Sequence, residues 1–409
     1  MEIGTDRENM AEAAIRRMIL HRIMIEGSFF ISDISDLTGY SVTTVAKYVS
    51  RMVEMGEIYE MEKIALHERG RKTVKYGVNP DRMYFLGVDV RTFELNIGLI
   101  DMVGKVIRIE TDSAFRQENT YDSLNKICDS VKEFVESIEN VDFQKIAGMN
   151  INLPGRVNAR TGTSATVFNF EETADTPLAD LLSEKLGMPV FVENDTKAMA
   201  YGEYMSGLNK DYSDVCYVNM GWGLGLGLIF GGRLYYGKDG YSGEFGHVHM
   251  YDNNVLCHCG KKGCLETEVS GRAISRKLTE RIKAGETSVL SGKIRSGEVI
   301  TTADIIKAVE KEDALSIELV STAGMELGHR IAGLINILNP EVIVIGGNFS
   351  QVESCYFLQY IKLAVRQYSL KLISQDVPII PSVLGHDAAV MGACMIARAK
   401  VMDSMLCTI

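Results

Sequence analysis

Apolar residues recur at helical spacing in three successive segments of the N-terminal part of the chain. The first segment covers residues 11–25, and the second follows Ser32, whose hydroxyl suits a helix N-cap. The third begins after Ser41 and reaches about Met55, with a turn at residues 38–40 before it. Its apolar side carries Val45, Val49 and Met52. The pattern predicts three helices with a short turn between the second and the third.

The polar face of the third predicted helix carries short donors near its start and cations further along. Strand-like runs follow at residues 58–61 and 74–78, with a polar loop between them. Helix, turn, helix and wing in this order predict a winged helix-turn-helix domain. The predicted DNA contacts are Thr43, Thr44, Lys47 and Arg51 on the helix and Arg71 and Lys72 on the wing. The alternative is a small helical domain whose polar face is merely solvated.

Beyond residue 80 the pattern changes to strand-like runs that alternate with amphipathic helical segments. Asn79-Pro80 marks the boundary. The runs lie at residues 84–90, 94–101, 146–153, 190–192, 215–220, 226–230 and 342–345. The first two are separated by only three residues, which predicts a hairpin. The alternation as a whole predicts an α/β architecture.

Charge and composition change this picture in one respect. The 409 residues carry a net charge of −11, which by itself argues against a nucleic-acid binder. Residues 1–80, however, hold 11 Lys and Arg against 12 Asp and Glu, so the acidity belongs to the body of the protein. No apolar run is long enough for a membrane helix, and we expect a cytoplasmic protein of two to three domains.

A set of short motifs in the body, read in order, resembles the ROK family of repressors and sugar kinases. The motifs are Pro154-Gly155, Asn169, Glu193-Asn194-Asp195, the glycine turn at 221–227, Gly243-Glu244-Phe245-Gly246-His247, a cysteine cluster ending in Glu266, Asn339-Pro340-Glu341 and Gly346-Gly347. The likeness covers about residues 84–400. The preceding segment resembles the DNA-binding half of the family's repressors, such as the xylose- and N-acetylglucosamine-responsive regulators.

The resemblance implies an α/β body of the actin/hexokinase-like (ribonuclease H-like) type, with two lobes around a cleft. We expect a winged helix-turn-helix domain at residues 1–80 and an N-terminal lobe at 81–200, to which the C-terminal helix can return. A C-terminal lobe with a metal loop follows at 201–409. The resemblance also implies a homodimer or a homotetramer.

The cysteine cluster has the sharpest spacing of these motifs. Nine residues separate His247 from Cys257, one separates Cys257 from Cys259, and four separate Cys259 from Cys264. One imidazole and three thiolates form a closed tetrahedral set that suits structural zinc, and a reduced cluster without metal is the alternative. His258, which lies between two of the cysteines, is expected to point away.

Hydroxyl-rich ligands need amides and carboxylates that donate and accept hydrogen bonds in pairs. The residues that match the family's sugar-contacting positions are Asn169, Asn194, Asp195, Glu244, His247 and Glu266. Asp195 matches the family's catalytic base. The sequence shows no evident cation beside Asp195, which favours an unphosphorylated sugar as ligand.

Two turns depart from the pattern of the family's kinases. Those kinases have an Asp-x-Gly-x-Thr turn after the first strand, whereas here Asp89 is followed by Val90, Arg91, Thr92, Phe93 and Glu94. Without a glycine, and with Glu94 repelling anions, this turn is expected to hold ATP poorly. In the second turn Trp222 occupies the position of a small hydroxyl residue. We therefore expect a protein without kinase activity.

The sequence thus predicts a sugar-responsive regulator of carbohydrate-metabolism genes, expected to be a repressor. Its partners would be operator DNA and a small sugar, with zinc as a structural cofactor and no membrane. An active ATP-dependent sugar kinase with an appended DNA-binding domain is the main alternative. A regulator controlled only by a protein partner is a third, disfavoured by the retained polar residues.

Overall fold

The computed structural model describes residues 12, 15–16, 18–19, 22, 27–65, 72–139, 141–170, 176–352 and 356–407. The chain forms two compact units. The first comprises Met1–Ile151, Phe170–Phe191 and Ala393–Ile409, and the second comprises Asn152–Asn169 and Val192–Gly392. The three-part division at residues 80 and 200 stays a prediction. None of the helices that the structure describes has the length and apolar content that crossing a membrane requires.

The N-terminal part of the first unit has the arrangement of a winged helix-turn-helix. Its first helix, α1, is helical at each described residue between 12 and 22. The elements that follow are β1 (Phe29–Phe30), α2 (Ile31–Thr38), α3 (Val42–Glu54), β2 (Ile58–Ala65) and β3 (Lys72–Val78). The three strands pair in the order β1-β3-β2. The predicted succession of helix, turn, helix and wing is confirmed for the described residues.

Side-chain hydrogen bonds fix the N-terminal ends of α2 and α3. The Ser41 hydroxyl accepts the Thr44 backbone N–H at 3.1 Å, and so caps α3 as predicted. The prediction of Ser32 as N-cap of α2 is wrong, because α2 already begins at Ile31. The Asp33 carboxylate reaches back to the Phe30 N–H at 2.9 Å instead.

The remainder of the first unit is built on a five-stranded sheet with the order β10-β7-β4-β5-β6. Its elements are β4 (Tyr84–Val90), β5 (Leu95–Asp101), β6 (Val106–Asp112), α4 (Tyr121–Glu136), β7 (Ile146–Leu153), α5 (Leu178–Leu186) and β10 (Val190–Asn194). The last residues of β7 and β10 belong to the second unit. Every residue of β4 and β5 is buried. The two strands form the predicted antiparallel hairpin.

The second unit contains a five-stranded sheet of order β13-β12-β11-β14-β15 and a two-stranded ribbon of β8 and β9. The strands are β8 (Val157–Asn158), β9 (Thr163–Ser164), β11 (Val215–Met220), β12 (Leu224–Phe230), β13 (Arg233–Leu234), β14 (Val342–Gly346) and β15 (Ile379–Pro381). The helices are α6 (Asp195–Met205), α7 (Glu266–Val269), α8 (Gly271–Lys283), α9 (Ser291–Arg295), α10 (Thr302–Glu310), α11 (Ala314–Leu338), α12 (Leu358–Tyr368), α13 (Lys371–Ser374) and α14 (Ala388–Cys407), whose last residues belong to the first unit.

The two large sheets share one strand order. In each, three successive strands form a meander, the next strand pairs with the first of the three, and a last strand completes the edge. In the second unit the pairs β11–β14 and β14–β15 are parallel, whereas β11–β12 is antiparallel. A repeated mixed sheet with helices between its strands is the α/β architecture that the sequence predicts.

Candidate functional site

His247 and three cysteines converge in the second unit. Their ligand atoms all lie within 4.8 Å of one another. His247 Nδ1 is 3.5 Å from Cys257 Sγ, and the sulfur atoms of Cys259 and Cys264 are 3.7 Å apart. Tetrahedral zinc, with Zn–S of about 2.3 Å and Zn–N of about 2.0–2.1 Å, places such pairs about 3.5–3.8 Å apart. The spacing of the donor atoms therefore fits zinc.

The cysteines lie on a tight loop whose two sides are joined by backbone hydrogen bonds. Leu256 and Lys262 face each other across this loop. Gly263 has a φ of 70°, and a Cβ there would lie only 2.0 Å from the Tyr251 carbonyl oxygen, so glycine is required. Burial raises the pKa of the Cys257 thiol to about 12.

His258 does not point away from the site. Its Nδ1 lies 2.9 Å from Glu266 Oε1, and its ring centroid is 5.1 Å from that of His247. The expectation from its place between two cysteines was therefore wrong. The tight loop returns the His258 side chain toward the start of α7, where Glu266 is the first residue.

Glu266 is a buried carboxylate, 6% exposed, that is held from two sides. Its Oε2 accepts the Leu224 backbone N–H at 3.0 Å, and its Oε1 faces His258. Burial alone would raise the pKa of Glu266, but these two hydrogen bonds outweigh burial and lower it. Glu266 is therefore held ionised as a hydrogen-bond acceptor beside the cysteine loop.

Asn194 and Asp195 lie where β10 passes into α6. The Asn194 side chain caps α6 by accepting the Lys197 backbone N–H at 3.1 Å. Its amide nitrogen donates to Asp195 Oδ1 and to the Gly155 carbonyl oxygen, both at 2.9 Å. Asp195 also accepts the Thr196 backbone N–H at 2.6 Å. These bonds fix the Asp195 carboxylate at the first turn of α6.

Arg156 joins this helix start to the cluster of His247 and the three cysteines. Its Nε lies 3.5 Å from Glu244 Oε2, and the same carboxylate oxygen lies 3.7 Å from His247 Nε2. Because Asn194 bonds to the neighbouring Gly155, a continuous chain of contacts connects Asn194 to His247. His247 thus presents Nδ1 to the cysteines and Nε2 to Glu244, as its predicted double role requires.

Five of the six residues predicted to contact sugar are brought together by these contacts. Asn169 is the exception: it is exposed, and within the described residues no hydrogen bond connects it to the other five. The preceding residue, Phe168, is buried and has a φ of 55°, which is unfavourable for a bulky side chain. This backbone conformation fixes the direction in which the chain carries Asn169.

Two cations at this site were not predicted from the sequence. One is Arg156, and the other is Lys197, which is 4% exposed on α6. Burial lowers the pKa of Lys197, while the neighbouring carboxylates of Glu193, Glu244 and Asp195 favour its charged form. The premise that no cation lies beside Asp195 was therefore wrong. A lysine two positions after a motif residue, on a helix buried nearly all round, is the signal that could have revealed it.

The turn between β4 and β5 is closed by an ion-pair clamp. Arg91 Nε lies 2.6 Å from Asp89 Oδ2, and its Nη1 lies 2.5 Å from Glu94 Oε1. Asp89 is fully buried. Burial would lower the pKa of Arg91, but the two carboxylates outweigh burial and raise it. The positive charge of Arg91 is therefore already compensated within the turn.

The turn between β11 and β12 holds Trp222 against α8. The Arg272 backbone N–H donates to the Trp222 carbonyl oxygen at 3.1 Å, and its guanidinium lies 5.8 Å from the Trp222 ring centroid. The Gly271 N–H donates to the Gly221 carbonyl oxygen at 2.9 Å. The indole is half-buried.

The predicted DNA-binding face of α3 is exposed at Thr43, Lys47 and Arg51 and half-buried at Thr44. The hydroxyls of both threonines lie 2.8 Å from the Ser41 hydroxyl. Arg51 Nη1 is 2.8 Å from Glu12 Oε2 on α1. Arg71 lies outside the described residues, and so does the side chain of Lys72.

These elements define an actin/hexokinase-like α/β protein with an N-terminal winged helix-turn-helix and a cluster of carboxylates beside a Cys₃His set. Residues 85–400 match the ROK family, which is more than half of the chain. The chain therefore belongs to the ROK family.

Its relatives include both repressors and kinases. The xylose repressor of Caldicellulosiruptor bescii is 28% identical, over 95% of this chain and 95% of that protein. A glucokinase of Halalkalibacterium halodurans is 30% identical, over 78% of this chain and 96% of that protein. A crystal structure of a ROK family transcriptional regulator, a homolog of the E. coli MLC protein, is 28% identical with a TM-score of 0.79 and covers 97% of this chain and 98% of that one.

Proposed function

We propose that this chain is a sugar-responsive, DNA-binding transcriptional repressor of carbohydrate-metabolism genes that does not phosphorylate its ligand. The observation that carries the proposal is one chain with both a winged helix-turn-helix and a connected cluster of sugar-type polar residues. The family match begins at residue 85 and so leaves out the winged helix-turn-helix. The alignment with the xylose repressor covers 95% of this chain, whereas the alignment with the glucokinase covers 78%.

The proposed DNA-binding surface is the exposed face of α3. In this proposal Thr43, Thr44 and Lys47 contact bases and phosphates, and Arg51 becomes available when its pair with Glu12 opens. Arg71 and Lys72 complete the set from the wing. A symmetric homodimer or homotetramer would present two such helices to a palindromic operator.

The residues proposed to bind the sugar are Asn169, Asn194, Asp195, Glu244, His247 and Glu266. In this proposal zinc is held by His247 Nδ1 and the thiolates of Cys257, Cys259 and Cys264, with no open coordination position. The metal then acts as a structural tie. It fixes the loop that places His258 and Glu266, while His247 Nε2 remains directed toward Glu244.

A DNA-binding titration tests the repressor proposal. An operator is first selected from random DNA with the full chain, and its release is then followed by fluorescence anisotropy while monosaccharides are added. We expect one sugar to weaken operator binding at least about tenfold, and the Glu244→Gln variant to bind operator normally without responding. Full operator affinity at saturating concentrations of every sugar that binds would contradict the proposal.

An active sugar kinase is the second candidate, favoured by the position of Asp195 at the first turn of α6. We expect no significant ATP-dependent phosphorylation, because the clamp of Asp89, Arg91 and Glu94 leaves net negative charge where phosphates would lie. A coupled assay across hexoses, pentoses and N-acetylated sugars measures this. Turnover of about 1–1000 per second, lost in Asp195→Asn and kept in the exposed control Asp239→Asn, would establish the kinase instead.

A further inference from the structure

Trp222 is the only tryptophan in the chain, and the turn that carries it is fixed to a neighbouring helix. The turn that carries it is bound to the start of α8 by two backbone hydrogen bonds, from Gly271 to Gly221 and from Arg272 to Trp222. The Arg272 guanidinium stacks near the ring at 5.8 Å. The indole is therefore held at a fixed place in the structure.

A short series of contacts joins Trp222 to the carboxylate of Glu266. Arg272 Nη1 lies 3.2 Å from His258 Nδ1, and that nitrogen lies 2.9 Å from Glu266 Oε1. A Cβ on Gly223, the residue after Trp222, would be 3.0 Å from Glu266 Oε2. Since consecutive Cα atoms are about 3.8 Å apart, the backbone of Trp222 lies in the neighbourhood of Glu266.

The side chains around the indole suit a carbohydrate. A pyranose ring presents C–H bonds on its face and hydroxyl groups at its edge. The negative face of an indole attracts these C–H bonds. The exposed side chains of Arg272 and His258 carry nitrogen atoms that can form hydrogen bonds with the hydroxyl groups.

We propose that Trp222, Arg272 and His258 form a second saccharide subsite next to Glu266, so that the effector is a disaccharide or a longer glycan. One ring lies among Asp195, Glu244 and Glu266, and the next stacks on Trp222. This inference rests on the proposed sugar-sensing function and specifies its ligand class.

Matched pairs of sugars test the subsite on the full-length protein. Calorimetry compares glucose with cellobiose, xylose with xylobiose, and N-acetylglucosamine with its β-1,4 dimer. We expect at least one disaccharide to bind about tenfold tighter than its monosaccharide. Because Trp222 is the sole tryptophan, that disaccharide should also change the protein's tryptophan fluorescence, which needs no variant.

Substitutions locate the effect. Trp222→Ala should remove the advantage of the disaccharide while changing monosaccharide affinity by less than about twofold, and Trp222→Phe should keep most of it. Phe143→Ala, at an exposed aromatic residue of the first unit, should change neither. Equal binding of both sugar lengths, or an advantage that survives Trp222→Ala, overturns the subsite alone. If no sugar of either length binds, both the subsite and the proposed sugar sensing fail.

Discussion

Arg51 shows at the scale of a single residue how the structure sharpens a prediction. In the free protein its guanidinium is 2.8 Å from Glu12, so contact with a phosphate must compete with this ion pair. Exposed ion pairs are weak, so we expect Glu12→Gln to raise DNA affinity only about two- to fivefold. Arg51→Ala should lower the affinity and reduce the salt dependence by about one ion.

Anisotropy titrations of the selected operator at several salt concentrations measure both effects. The control is Arg108→Ala, since Arg108 is a partly exposed arginine that also pairs with a carboxylate, 2.9 Å from Glu110. Arg108 lies on β6, so its replacement should change neither the operator affinity nor the salt dependence. If Arg51→Ala binds as the unchanged protein does, with the same salt dependence, then α3 does not present Arg51 to DNA.

Single site residues could be predicted where they belong to a sequence motif. They could not be predicted where only the folded chain brings them to the site. His247 and the three cysteines could be chosen from spacing, and their donor atoms converge as expected. Arg156 and Lys197 belong to no such pattern, because their proximity to Glu244 and Asp195 arises from chain segments far apart or from the buried side of a helix. His258 was misjudged for the same reason.

At the scale of an element, α11 depends on one carboxylate at its start. The Asp313 side chain accepts the Ser316 N–H at 3.0 Å and the Val289 N–H at 2.9 Å, so it both caps α11 and fixes the preceding loop. Burial alone would raise the pKa of Asp313, but these and neighbouring hydroxyl bonds lower it below the ordinary 3.8. We expect Asp313→Ala to reduce the free energy of unfolding by about 1–2 kcal/mol at neutral pH.

The pH dependence of that loss follows from the direction of the shift. A carboxyl whose pKa is lower in the folded state stabilises the fold above its unfolded pKa, and this contribution disappears as the pH falls through the folded value. Urea unfolding of Asp313→Ala and of the exposed control Asp376→Ala should therefore differ at neutral pH and converge in strong acid. A difference that persists unchanged in acid would assign the effect to packing.

Elements were predicted best where the apolar pattern was long. The strands Tyr84–Val90, Ile146–Leu153 and Val215–Met220 have the bounds that the pattern indicates. The start of α2 was misplaced because its N-cap is Phe30, an apolar residue that offers no capping side chain, while the Asp33 carboxylate reaches back from within the helix. The wing strands extend beyond their predicted runs, since backbone pairing continues through polar residues such as Glu62 and Thr73.

At the scale of the whole molecule, the metal loop should connect sugar binding to DNA release. Cys259→Ser should lose the one zinc expected per chain, loosen the loop that places Glu266, and weaken sugar binding at least about tenfold. Operator binding without sugar should remain, because the proposed DNA contacts lie at residues 43–72. Metal analysis, calorimetry and anisotropy measure the three results.

The control is Cys128→Ala, which removes a buried thiol of α4 that lies outside the cysteine loop. It should keep its zinc and its sugar response. A Cys259→Ser protein that retains stoichiometric zinc, or that loses zinc and still responds to sugar fully, would separate the metal from the response. The same measurements after treatment with a chelator extend the test to the unaltered sequence.

The order in which the chain enters the two units has a consequence for its synthesis. The ribosome delivers residues from the N-terminus, so every residue of the second unit exists once Gly392 has been made, whereas the first unit still lacks Ala393–Ile409. The unit whose synthesis begins first is therefore completed last. A translation product that stops early carries the winged helix-turn-helix on an unfinished unit, with exposed apolar surface that chaperones and proteases recognise. Folding of the first unit therefore waits for a segment that follows the whole of the second unit in the chain.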